Sequence, residues 1–122
     1  MTHATDTMRL ELREAIYTLL AERREVLRPS EILHALSSDA RFMLWPNCMH
    51  VTAQLYALVE HPRKVRRVWM PLIPTRFQRA RGHRGGFRGW CVGDLSRDEL
   101  NNLRRQTAAL KEAPFAGVCE VR

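Results

Sequence analysis

The stretch Val51-Thr52-Ala53-Gln54-Leu55-Tyr56-Ala57-Leu58-Val59-Glu60-His61-Pro62-Arg63-Lys64-Val65-Arg66-Arg67-Val68-Trp69-Met70 changes its period halfway along. Val51, Leu55, Leu58 and Val59 recur at helical spacing, which predicts a helix that opens at Pro46 with Asn47 beside it and runs to about Glu60. His61-Pro62 stops it, because proline disfavours helical geometry in the residue before it and has no N–H to donate. Val65 to Met70 is β-branched and aromatic, so the chain is expected to enter a strand almost at once. Gly85-Gly86 marks a turn, and Trp90 and Val92 alternate with Cys91 in a return strand at about Phe87 to Val92. Pro71 and Pro74 hold the first strand to an edge or end it early.

Upstream, Met8, Leu12, Ala15, Ile16, Leu19 and Leu20 recur at steps of three and four from about Thr7 to Arg24, an amphipathic helix that Thr5 or Asp6 can cap. Pro29 suits the first position of a second helix and Glu31 the third, with Ile32, Leu33 and Leu36 turned inward and Ser37-Ser38-Asp39 at its end. Phe42 to Trp45 is an apolar connection. Downstream, Ser96-Arg97-Asp98-Glu99 has the spacing of a capping box. Leu100, Leu103, Thr107 and Leu110 then form a narrow seam on an otherwise polar helix, as expected of a contact between subunits.

Charge is concentrated in one place. The chain of 122 residues carries a formal net charge of +7, yet nine Arg and Lys residues and no Asp or Glu lie between Arg63 and Arg88. The rest of the chain holds 11 basic against 13 acidic residues. A basic segment on a balanced protein is the footprint expected where phosphates are met, since neutralising them releases counterions. Eighteen of the 20 basic residues are Arg, suited to bidentate phosphate or guanine contacts; the codon usage of a GC-rich genome favours the same residue.

Other classes find little support. No apolar run nears the roughly 20 residues that span a bilayer, and Met1 to Arg9 lacks the features of a secretory signal, so a cytoplasmic protein without a membrane partner is expected. Cys48, Cys91 and Cys119 are odd in number and widely spread, which favours free thiols. Cys48 and His50 form one Cys-x-His without a second close pair, so no metal or other cofactor is expected. His34 and His50 have no nucleophile at recognisable spacing, and no phosphate loop is present, so the chain is not expected to be an enzyme. Trp45, Trp69 and Trp90 read as core and hairpin anchors, unless Trp69 or Trp90 lies on the outer hairpin face, where bases could stack.

Three helices followed at once by a basic hairpin resemble the winged helix-turn-helix domain of DNA-binding proteins over about Thr7 to Asp94. The resemblance is carried by Pro29-Ser30-Glu31-Ile32 at the second helix, Val51, Leu55 and Leu58 on the third, and Lys64-Val65-Arg66-Arg67 at the root of the wing. It implies an α+β fold: a winged helix domain over residues 1–94 with an Arg-rich wing at about 63–93, then a C-terminal helix and tail over 95–122 for dimerisation. The link from Ser37 to Pro46 and the wing are both longer than usual.

By this resemblance Asn47, His50, Thr52 and Gln54 approach the major groove. Arg76, Arg79, Arg81, Arg84 and Arg88 hold phosphates or enter a minor groove, together with Arg63, Lys64, Arg66 and Arg67. The expected function is sequence-specific binding of double-stranded DNA by a small, dimeric transcriptional regulator. Two alternatives stay open. Arg81 to Gly89 resembles the Arg-Gly-Gly segments of RNA-binding proteins, pointing to RNA or single-stranded nucleic acid, and a phage-type inhibitor would turn the same basic surface toward an acidic protein.

Overall fold

Thr5 opens the first helix by accepting the Met8 N–H on its hydroxyl at 3.1 Å, one of the orphan donors of a helix start. In the computed structural model, which describes residues 5–60, 64–71 and 86–107, this helix, α1, spans Asp6–Arg23. It ends where Arg24 adopts a left-handed conformation, φ 48°, and returns its N–H to Leu20 O. The chain divides into two compact units, Met1–Val68 with Gly89–Asp94, and Trp69–Arg88 with Leu95–Arg122. Among the described residues the fold is α+β, with four helices and a two-stranded antiparallel hairpin.

In the first unit α1 buries Leu12, Ile16 and Leu20 on a single stripe. Helix α2 (Pro29–Leu36) begins where expected, and the Glu31 carboxylate accepts the Arg28 N–H at 2.9 Å. It buries Ile32 and Leu36, while Leu33 is half-buried. Asp39 then caps a short 3-10 turn, Ala40–Phe42, that sequence periodicity did not reveal, and the turn drives Phe42 into the core.

Helix α3 (Cys48–Glu60) opens two residues later than the expected start at Pro46. The reason is local. Asn47 Oδ1 accepts the His50 N–H at 3.1 Å while His50 Nδ1 accepts the Asn47 N–H at 3.0 Å, a reciprocal cap that proline lacks the groups to make. Val51, Leu55 and Leu58 are buried as expected, whereas Val59 is only half-buried. Packing of α1, α2 and α3 on one another makes the core, in which fully burying one such side chain is worth about 1.5–3 kcal/mol.

Strands β1 (Val65–Met70) and β2 (Phe87–Val92) have the expected limits. Leu27, between α1 and α2, forms an antiparallel bridge to Trp90, with N–H···O distances of 2.9 and 2.7 Å. Gly89 permits this approach, since a Cβ there would lie 2.6 Å from Val26 Cγ1 and 3.1 Å from Leu27 O. The expected alternation of β2 does not hold, because Trp90, Cys91 and Val92 are all buried. Tyr56 meets the Trp90 ring edge-on at 5.2 Å and Arg67 stands over it at 5.8 Å, and both cover the indole.

The second unit contains the outer half of the hairpin and helix α4, helical over residues 97–107. The capping box is present: Ser96 Oγ accepts the Glu99 N–H at 3.1 Å and the Glu99 carboxylate accepts the Ser96 N–H at 3.2 Å. Trp69 is exposed and lies on Gly86, where a Cβ would fall within the indole. Arg104 Nε donates to Trp69 O at 3.1 Å. Leu100 is buried within the chain, so it does not begin an exposed dimer seam as expected; Leu103 and Thr107 are half-buried. Leu110, the tail and most of the arm between Ile73 and Arg88 lie outside the described residues. No helix among the described residues is long and apolar enough to cross a membrane.

Candidate nucleic-acid interface

Four side chains on or beside α3 are expected to read bases, and each has a polar atom already engaged within the protein. Asn47 and His50 are spent on the helix cap. The Thr52 hydroxyl donates to Cys48 O at 2.8 Å. Gln54 differs most from expectation: it is 7% exposed, and its Oε1 accepts from Arg13 Nε of α1 at 2.9 Å. Its position on the inner face follows from helical geometry, since it lies three residues after Val51 and beside Leu55. Gln54 is therefore a core residue in contact with α1, not part of a wet reading face.

The outer surface of α3 is instead made by Met49, Ala53 and Tyr56, at steps of four and three. Met49 is 79% and Tyr56 48% exposed. In the preceding connection Met43 is 63% and Leu44 96% exposed, while the half-buried Trp45 ring lies 5.1 Å from His50. The signal was present in the sequence. Helix α3 carries two apolar stripes.

Arg67 stands beside this surface, its guanidinium over the Trp90 ring and its Nη1 donating to the Tyr56 hydroxyl at 3.4 Å. Lys64 Nζ lies 5.1 Å from the centroid of the Tyr17 ring. An aromatic face attracts a cation through its quadrupole. Arg66 is half-buried and Arg88 is exposed. Arg63, Arg76, Arg79, Arg81 and Arg84 lie outside the described residues.

Carboxylates hold arginines elsewhere. Arg9 pairs with Asp6, Arg24 with Asp94 and Arg28 with Glu31, while Arg41 meets Asp39 and Glu11. The Arg41 guanidinium and its backbone N–H both donate to Asp39, holding that carboxyl below the ordinary aspartate range and raising the guanidinium in turn. Cys48 is an exposed free thiol, and Cys91 is buried. No group of three or more His, Cys, Asp or Glu is placed to hold a metal among the described residues.

Comparison of the chain with known protein families, with curated proteins and with solved structures finds no match.

Proposed function

We propose that this chain is a winged helix-turn-helix protein that binds double-stranded DNA sequence-specifically as a small transcriptional regulator. One observation carries it: a cation, Arg67, is fixed on the Tyr56–Trp90 pair at the edge of a helix whose outer surface is open, with the basic hairpin following directly. The order of elements supports the same reading, because Leu27 between the first two helices pairs with Trp90 of the second hairpin strand. Such a helix enters the major groove while the wing and its cations meet phosphates.

Fluorescence anisotropy against duplex DNA, single-stranded DNA and RNA over a salt series tests it. With about six phosphates neutralised, duplex affinity should fall with a log–log salt slope near roughly −5, and a site selected from random sequence should bind more tightly than the pool. Absence of duplex binding at moderate salt defeats the proposal, and preference for RNA or single strands transfers it to the Arg-Gly arm. The exposure of Met43 and Leu44 favours a second reading, in which the chain meets a protein partner.

A further inference from the structure

We infer that the outer face of α3 recognises the 5-methyl groups of thymine in the major groove, through Met49, Ala53 and the methyl of Thr52. The inference rests on the DNA-binding proposal above and names the feature of the duplex that is read.

The first ground is the state of the polar side chains. Bidentate pairing with adenine requires the oxygen and nitrogen of one amide together. The Asn47 oxygen is engaged in the cap of α3, and the Gln54 oxygen is held by Arg13 on the inner side. Thr52 donates its hydroxyl to Cys48 O and so offers its methyl to a ligand.

The second ground is what stands outward. Met49 and Ala53 are exposed one helical turn apart, and Thr52 is half-exposed beside them. Among the groups that base pairs present in the major groove, the thymine methyl is the apolar one, and alanine and the threonine methyl are suited to it. Methionine is unbranched and polarisable, so it can follow the irregular floor of a groove.

The third ground is charge. From Cys48 to Val59 the helix has no Asp, Glu, Lys or Arg, so no carboxylate on this face opposes the phosphates. The cation at its edge, Arg67, is complementary to them. A helix face turned to water would be expected to carry charge, as the outer face of α1 does with Arg9, Glu14, Glu22 and Arg23.

The test begins with a duplex selected from random sequence by the full chain, in which each thymine is replaced in turn by deoxyuridine. This removes the methyl and leaves the base pair intact. Each contacted methyl should weaken binding about fourfold, the worth of one buried methyl group. Met49→Gln should abolish the deoxyuridine effect at the thymine that Met49 contacts and leave it at the others, whereas Leu10→Gln on the exposed side of α1 should retain every difference. If deoxyuridine changes nothing at any position while duplex binding persists, the inference fails and the DNA proposal stands. If no duplex binds, both fall. If sedimentation shows a dimer that Met49→Gln dissociates, with deoxyuridine still without effect, the face joins two copies of the chain and the inference is overturned.

Discussion

Helices α1 and α3 contribute comparable stripes to one core, yet their outer faces differ in kind. On α1 the exposed residues include Arg9, Glu14, Glu22 and Arg23, with the Arg9–Asp6 pair at the start. Exposed ion pairs of that sort add little stability, about 0–1 kcal/mol, and mark a surface built to remain in water. On α3 the outer face holds Met49, Ala53 and Tyr56, and only Glu60 at its last position is charged. The contrast teaches that similar burial requirements leave the outer faces open to separate uses. One is solvated, and the other is left apolar beside a fixed arginine.

The comparison breaks most readily at the shared core. Ile16→Ala on α1 and Leu55→Ala on α3 remove fully buried side chains, and each should cost about 2–5 kcal/mol in urea unfolding. A much smaller loss at Leu55 would mean that α3 is not anchored as α1 is.

Gln54→Ala comes next, because it leaves the partly buried Arg13 Nε without its acceptor and should cost about 1–2 kcal/mol. The same variant should leave the base preference of a selected site intact. A changed preference would return Gln54 to the reading face. Arg67→Ala should weaken binding to all duplexes alike and reduce the salt slope by about 1, as expected for one phosphate contact. Preference lost at one base only would make Arg67 a base reader.

Met49→Gln and Leu44→Gln should shift the urea midpoint by no more than the equivalent of about 0.5 kcal/mol, since both side chains are exposed. A large destabilisation would place them in the core instead. The smallest effect concerns Asp39. Its carboxyl is held low by Arg41, so it is ionised in the folded protein at pH values where the unfolded chain already binds a proton. Its contribution is present above the ordinary aspartate range and is lost as pH falls through the depressed folded value. Asp39→Asn keeps a capping oxygen but removes the charge, so urea midpoints measured into acid should decline less steeply than in the parent protein.

Much of the fold was legible. Pro29 and the Ser96–Glu99 box place helix starts where the structure has them, and the limits of β1 and β2 were readable from β-branched and aromatic runs. Less of the candidate site was. Asn47 reads equally well as a base reader and as a cap, and its spacing from His50 serves the cap. The burial of Trp90 could not be read from β2, because Leu27, Tyr56 and Arg67, from other segments, meet it.

The sequence by itself determined where helices and strands begin and end and where positive charge gathers, since caps, proline and periodicity act within a few residues and charge is a property of composition. Only the tertiary structure decided which partners the side chains of α3 meet. Gln54 meets Arg13, 41 residues earlier, and Tyr56 meets Trp90 and Arg67. Burial depends on what other segments bring to a surface, and a residue's near neighbours in sequence do not carry that information.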